Sequence, residues 1–156
     1  MARMLQVSKT RVQKEPGNSK IKKIEFEGFP GSVRMGIHGG IAQFFGLKPD
    51  EPLPSTLDYV VAAVSGCLAG TVAGVLEARS LPSDLDHLQT RAEGRIEEVD
   101  GKMLLTHISV HYRMKVAKEK RPNVEKALQG HEDRCPVSAS IRRGITIECH
   151  AEIEDE

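Results

Sequence analysis

Apolar and polar residues alternate over several stretches of the chain, and a period of two residues predicts β-strands. The predicted strands cover residues 3–14, 21–27, 33–37, 86–99, 102–116 and 145–153. The clearest pair, 86–99 and 102–116, is joined at Asp100-Gly101, a dipeptide typical of tight hairpin turns. The first strand has the weakest pattern, and a Pro-Gly-Asn turn follows it.

One long stretch of small and apolar residues predicts a helix from about residue 55 to about residue 79. It is apolar nearly all round, so we expect it to be buried on most faces. Gly66, Gly70 and Gly74 recur every four residues on one face. Because each Gly costs a helix about 1 kcal/mol relative to Ala, three of them indicate a close helix–helix contact.

Shorter elements complete the predicted order. A second helix is expected from about Arg121 to Gly130, and a third from Cys135-Pro136 to about Arg143, while residues 41–54 are predicted to form a loop. Strands, a long helix, a hairpin, short helices and a last strand predict an α+β fold with antiparallel sheet. The chain has no repeats, and its 156 residues suit one domain over 1–156.

Composition excludes several classes of function. With 22 basic and 22 acidic residues, the chain has no excess charge with which to bind nucleic acid. Residues 57–76 are long enough for a membrane span, but Asp58 and several Gly, Ser and Thr residues favour the central helix of a soluble fold. The first residues lack the apolar run of a secretory signal, and three cysteines do not suit a disulfide scaffold. We therefore expect a cytoplasmic protein with reduced thiols.

Two cysteines lie in contrasting settings. Cys67 is midway along the long helix, where it is either a small hydrophobe of the core or a reactive thiol that needs a nearby positive charge. Cys135 precedes Pro136, so it is expected at the N-terminus of a helix, whose dipole favours a thiolate. The alternative for Cys135 is a capping residue without a chemical role. Cys149 alternates with apolar residues on the last strand and is expected to be structural.

The remaining candidates are a carboxylate and the histidines. Ser55 and Asp58 form a Ser-x-x-Asp pattern, so Asp58 either caps the long helix or orients an Arg guanidinium. Asp58 and Cys67 are nine residues apart and on opposite faces of the helix, so they cannot touch within one chain. The six histidines show no CxxC, HxxxH or HExxH spacing. No metal or cofactor is predicted.

The segment Pro54–Cys67, with a Pro, an acidic residue, an apolar stretch and an Ala/Gly-rich end at Cys, resembles the helix start of the OsmC/Ohr family. The segment Arg134–Ser138 is similar to the part of that family that contains its second Cys. The separation of 68 positions and the hairpin between the two cysteines also fit. The resemblance covers most of the chain from about residue 20.

This resemblance implies an intertwined homodimer, with antiparallel sheets wrapped around long central helices and the glycine face at the centre of the dimer. It implies a cysteine-based peroxidase in which Cys67 attacks a peroxide and Cys135 resolves the sulfenic acid as a disulfide, which a small dithiol or thiol protein reduces. It also implies an Arg near Cys67 held by an acidic residue. Asp58 matches that residue, one methylene shorter than the family Glu, and Arg34 is the first candidate for the Arg, with Arg11 second.

Three functions remain open at this point. The first is a thiol-dependent peroxidase acting on organic hydroperoxides or hydrogen peroxide. The second is a dimeric binding protein that keeps the fold without significant turnover. The third is a redox sensor that uses the same disulfide as a signal. An Arg near Cys67 favours the first function, and its absence favours the second.

Overall fold

A computed structural model describes residues 2–155, apart from the side chain of Ser19, and confirms the predicted mixed α+β class. It contains two three-stranded sheets and one long helix. The chain divides into two compact units between Tyr59 and Val60. The boundary lies inside the long helix, near its N-terminal end. The assignment of 1–156 to one domain therefore stays a prediction.

The first sheet is antiparallel and lies wholly in the first unit. Its strands, in the order β1-β2-β3, are β1 (Thr10–Glu15), β2 (Asn18–Phe26) and β3 (Val33–Met35). Gly17 has a φ of 76° in the predicted turn between the first two strands, a conformation that Gly adopts without strain. Ile21 and Ile24 of β2 are its buried residues.

The second sheet contains the predicted hairpin and the last strand, all in the second unit. Its strands, in the order β4-β5-β6, are β4 (Leu88–Val99), β5 (Lys102–Val116) and β6 (Thr146–Asp155). Asp100 and Gly101 have φ values of 52° and 73°, as a tight hairpin turn requires. β6 pairs parallel to β5, so the prediction of antiparallel pairing throughout was wrong for this strand. The helices between the two strands return the chain to the end where β5 began, which makes a parallel pairing possible.

One face of β5 provides much of the core of this unit. Its buried residues are Leu105, Ile108, Val110, Tyr112, Met114 and Val116. The sequence pattern placed Leu104 inside and Leu105 outside, and the structure reverses them. The register passes from His107 opposite Arg95 to Leu105 opposite Ile96, so Thr106 is an extra, unpaired residue. A bulge of this kind breaks the period of two and exchanges the faces beyond it.

The helices are α1 (Gly39–Phe44), α2 (Thr56–Glu77), α3 (Arg121–Leu128), α4 (His131–Arg134) and α5 (Pro136–Ile141). Four of them lie in or near predicted helical segments. α1 occupies a stretch that was predicted to be a loop, because its six residues are too few to show a helical period. α4 likewise precedes the predicted third helix as a separate short turn.

The long helix α2 buries a single stripe in this chain, although its composition predicted burial on most faces. The stripe consists of Val64, Leu68, Val72 and Leu76, at intervals of four residues. A Cβ added to Gly66, Gly70 or Gly74 would meet nothing within 4 Å in the part of the chain that the structure describes. By length and composition alone α2 would also be able to cross a membrane, a test that core helices of soluble proteins pass as well.

Gly94 of β4 marks where α2 approaches the second sheet. A Cβ added at this position would collide with Cγ2 of Val61 and lie 3.1 Å from Cδ1 of Leu105. Glycine therefore permits the close approach of helix and strand.

Candidate active site

Cys67 and Cys135 lie next to each other in the second unit, although 68 positions separate them in the sequence. The two side chains are close enough for Cys67 to raise the pKa of the Cys135 thiol, in addition to the larger effect of burial. All three cysteines are free thiols in this structure. Cys67 is half-buried on α2, whereas Cys135 is fully buried. The arrangement brings together a partly accessible thiol and a buried one.

Cys135 is the N-cap residue of α5, as the Cys-Pro sequence predicted. Its Sγ accepts a hydrogen bond from the Ser138 N–H at 3.5 Å, and Pro136 takes the first helical position. Burial raises the pKa of the Cys135 thiol and outweighs the N–H groups of Ser138 and Val137, which lower it. The expectation that the helix N-terminus favours a thiolate is therefore reversed here, since desolvation of the charged form is the stronger effect. Cys135 is a thiol at neutral pH.

Cys149 is the third thiol and faces the same side of the second sheet as Tyr112. Its Sγ lies 3.6 Å from the Tyr112 hydroxyl, which in turn lies 3.1 Å from Nε2 of His131. Burial and the nearby Glu132 carboxylate raise the pKa of Cys149 to about 12, against a smaller lowering by Tyr112. Burial also raises the pKa of Tyr112 well above its usual value. Cys149 is thus part of a polar cluster, not only an apolar core residue.

Asp58 caps the long helix from within the first unit. Its Oδ2 accepts hydrogen bonds from both the N–H and the hydroxyl of Ser55 at 2.6 Å, and the Asp58 N–H donates back to the Ser55 hydroxyl at 3.3 Å. This is the reciprocal arrangement of a capping box. Nε2 of His38 lies 2.8 Å from the same carboxylate oxygen. Burial alone would raise the pKa of Asp58, but the hydrogen bonds from Ser55 and His38 outweigh it and lower the pKa.

Arg34, on β3, is held by two carboxylates that the sequence did not suggest. Its guanidinium donates two hydrogen bonds to Glu15, at 2.6 and 2.9 Å, and two to Glu51, at 2.7 and 2.9 Å. These contacts raise the pKa of Arg34 and lower those of Glu15 and Glu51. The Tyr59 hydroxyl donates to the backbone carbonyl of Arg34 at 3.1 Å, which ties β3 to the first turns of α2.

The predicted pairing of Asp58 with an Arg is therefore replaced by two separate pairs. Among residues 2–155 Asp58 contacts His38, and Arg34 contacts Glu15 and Glu51. His38 was not among the site residues that the sequence suggested. With Asp58, Pro52, Leu53 and Pro54 it lines an open cavity of about 430 Å³. No local motif could have identified this partner, because His38 precedes Asp58 by 20 positions. The catalytic roles of Asp58 and Arg34 stay predictions.

A family model described as OsmC-like protein matches residues 49–150, which is more than half of the chain and includes Cys67 and Cys135. The chain belongs to the OsmC family. Arg34 and His38 lie outside the matched segment of this OsmC-family protein. A comparison with curated proteins gives no match.

Solved structures similar to this OsmC-family protein have low sequence identity and nearly complete coverage. An OsmC-like protein from Mycoplasma pneumoniae has a TM-score of 0.70 and 12% identity, covering 97% of this chain and 99% of its own. An organic hydroperoxide resistance protein OsmC from Legionella pneumophila has a TM-score of 0.65, 13% identity and coverages of 96% and 99%. One from Elizabethkingia anophelis has a TM-score of 0.64, 13% identity and coverages of 99% and 100%. At these identities the similarity concerns the fold.

Proposed function

We propose that this OsmC-family protein is a thiol-dependent peroxidase. The Cys67 thiolate attacks the terminal oxygen of a hydroperoxide, the O–O bond breaks, and the leaving oxygen takes a proton to become an alcohol or water. Cys67 is thereby oxidised by two electrons to a sulfenic acid. The Cys135 thiol then displaces hydroxide, which leaves as water, and a Cys67–Cys135 disulfide forms. A small dithiol or a thiol protein reduces the disulfide by exchange and is itself oxidised.

The observation that carries the proposal is the proximity of the two thiols. Cys67 lies on α2 and Cys135 at the start of α5, and only the fold brings them together. Their exposures support different roles, because the half-buried Cys67 is open to a substrate and the fully buried Cys135 is not. The names of two similar structures, both organic hydroperoxide resistance proteins, support hydroperoxides as the substrate class.

The test is peroxide consumption by the reduced protein with excess dithiol. Hydrogen peroxide and cumene hydroperoxide are compared for wild type, Cys67→Ser and Ser65→Ala. Ser65 is a matched control because it lies two residues away on α2 and its hydroxyl donates a hydrogen bond to the Ala62 carbonyl of the same helix. Turnover that is lost in Cys67→Ser and kept in Ser65→Ala supports the proposal. Turnover that survives in Cys67→Ser contradicts it.

A second candidate function is favoured by the contacts of Arg34. The two carboxylates already compensate the charge of this guanidinium, and an uncompensated cation is what a peroxidatic thiolate needs. A protein in which no free cation supports Cys67 would keep the fold as a dimeric binding protein without significant turnover. No peroxide consumption by the reduced wild type, in the presence of excess dithiol, would favour this function.

We also propose that the protein is a homodimer that packs the glycine face of α2 against its copy. The face is open in the described chain, and Ala62, Gly66, Gly70 and Gly74 are exposed on it. Light scattering after gel filtration should give twice the 17.1 kDa chain mass. Gly70→Leu should shift the protein toward monomer, while Gly144→Leu, another open position, should not. A wild-type monomer would contradict the proposal.

A further inference from the structure

We propose that His131, Glu132 and Cys149 form a binding site for a divalent transition-metal ion, with Zn²⁺ as the favoured ion. The three residues lie in the second unit, the first two on α4 and the third on β6. One ligand atom from each, an imidazole nitrogen, a carboxylate oxygen and the thiol sulfur, lies within 4.8 Å of the other two. No sequence motif indicated this site, because His131 and Cys149 are 18 positions apart on different elements.

The spacing is close to what a bound ion requires. An ion with bonds of about 2.0–2.3 Å in a tetrahedron holds its ligand atoms roughly 3.3–3.8 Å apart. A contraction of about 1 Å therefore closes the site, and rotation of the half-buried Glu132 side chain is enough for a movement of that size. His131 is buried, at 5% exposure, and Cys149 is half-buried. The cluster therefore differs from a group of exposed acidic side chains on a protein surface.

The histidine is already in the tautomer that a metal needs. Nδ1 of His131 lies 2.6 Å from the Leu128 carbonyl oxygen, which only accepts hydrogen bonds, so Nδ1 carries the proton. Nε2 therefore has the lone pair that can bind an ion, and it lies 3.1 Å from the Tyr112 hydroxyl, which lies 3.6 Å from the sulfur of Cys149. A backbone carbonyl that orients the second ring nitrogen is the usual support of a metal-binding histidine.

The Tyr112 hydroxyl now contacts the nitrogen that would bind the ion, so it has to give way when an ion enters. In this structure it is within hydrogen-bond range of both Nε2 of His131 and the sulfur of Cys149. When an ion takes Nε2, the Tyr112 side chain shifts away from this nitrogen and its hydroxyl turns toward Cys149. It then donates to the thiolate, so the buried Tyr112 keeps a partner.

The donor set selects the class of ion. A neutral imidazole, a thiolate and a carboxylate balance the charge of a divalent cation, and the Cys149 thiol releases its proton to solvent on binding. Mixed nitrogen, sulfur and oxygen ligands suit Zn²⁺ and neighbouring transition metals, whereas Ca²⁺ and Mg²⁺ prefer oxygen alone. Three protein ligands leave a fourth position for water. In residues 2–155 no Lys or Arg forms an ion pair with Glu132, so its charge is available to a cation.

The experiment is a titration of the reduced full-length protein with Co²⁺, whose absorption spectrum reports its ligands. Zn²⁺ then displaces the Co²⁺, and competition with a chromophoric chelator gives the affinity for Zn²⁺. One Co²⁺ per chain with a thiolate charge-transfer band is expected. Cys149→Ser should remove the band and weaken binding by at least about 100-fold, and Glu132→Gln should weaken it by about 10–100-fold. Zn²⁺ should also raise the melting temperature of wild type more than that of Glu132→Gln.

Two matched variants separate this site from its surroundings. Cys67→Ser removes a thiol outside the cluster, and His150→Gln removes an exposed imidazole that stacks on His111 across the outer face of the sheet. Both should bind Co²⁺ as wild type does. The proposal is overturned if no thiolate band forms, if the band is lost in Cys67→Ser and kept in Cys149→Ser, or if His150→Gln abolishes binding. Glu132→Gln preserves the shape of the side chain and removes its charge, so it tests the proposal even if Cys149→Ser does not fold.

Discussion

The thiol pair of the second unit and the charged residues of the first unit differ in how well the sequence predicts their partners. Cys67 and Cys135 lie near each other, as the family resemblance implied, and their catalytic roles stay predictions. Arg34 was expected to be held by an acidic residue at the start of α2, but Glu15 and Glu51 hold it, and the expected residue pairs with His38. A buried thiol has few possible neighbours, whereas an exposed charged side chain can reach several oppositely charged residues.

The difference follows from exposure. A buried thiol at a helix N-cap is positioned by backbone and packing, so its neighbour is determined once the fold forms. The side chain of Arg34 is 42% exposed and reaches carboxylates from the end of β1 and from a loop. Exposed ion pairs contribute little free energy, so sequence constrains their choice weakly. Pairing among surface charges is therefore a poorer guide to function than the packing of thiols.

The largest expected effect is that of Cys135→Ser. We expect this variant to react once with peroxide, to accumulate a Cys67 sulfenic acid that dimedone traps, and to lose steady-state turnover with a dithiol by about tenfold or more, since the resolving thiol is missing. In wild type, one equivalent of peroxide should form a Cys67–Cys135 disulfide in peptide mass spectra. A disulfide from Cys67 or Cys135 to Cys149 would contradict the predicted pairing of Cys67 with Cys135.

A second prediction concerns reactivity in the unoxidised protein. Because burial raises the pKa of Cys135 above its ordinary value of 9.0, this thiol should be alkylated at pH 8 several-fold more slowly than in urea. Its rate should rise as pH increases through 9, since the thiolate is the form that reacts. Mass spectrometry of iodoacetamide-labelled peptides measures this. Fast labelling of Cys135 at pH 7 would contradict the burial of its sulfur.

Arg34→Met tests whether the charged residues of the first unit support the thiols at all. If Arg34 stabilises the Cys67 thiolate, as the family resemblance implies, its loss should lower kcat/KM by about tenfold. Lys23→Met is the matched control, because Lys23 pairs with Arg34 in register on β2 and carries the same charge. An equal effect of both variants, or no effect of Arg34→Met, would remove Arg34 from the mechanism.

The smallest expected effect is that of Asp58→Asn on stability. The lowered pKa of Asp58 means that the folded state favours its charged form, so the stabilisation is present above the ordinary value of 3.8 and is lost as pH falls through the lowered pKa. At pH 7 wild type should exceed the variant by about 1 kcal/mol in free energy of unfolding. Urea unfolding from pH 7 to pH 2 measures the gap, which should close below pH 3.8. A gap that persists at low pH would rule out the charge as its source.

Periodicity predicted most of the fold, and its failures have local causes. The long helix, the hairpin turn at Asp100 and the N-cap role of Cys135 follow from patterns within a few residues, and the structure has all three. The helix α1 was missed because it is short. The bulge at Thr106 was missed because one extra residue leaves both halves of the strand regular.

By itself the sequence determined most of the element types and the α+β class, because these depend on local spacing and on short motifs. Only the tertiary structure decided which side chains meet: His38 with Asp58, Arg34 with Glu15 and Glu51, and the cluster of His131, Glu132 and Cys149. It also decided the parallel pairing of β6. Contacts between distant positions depend on how whole elements pack, and a single sequence holds no local signal for that packing.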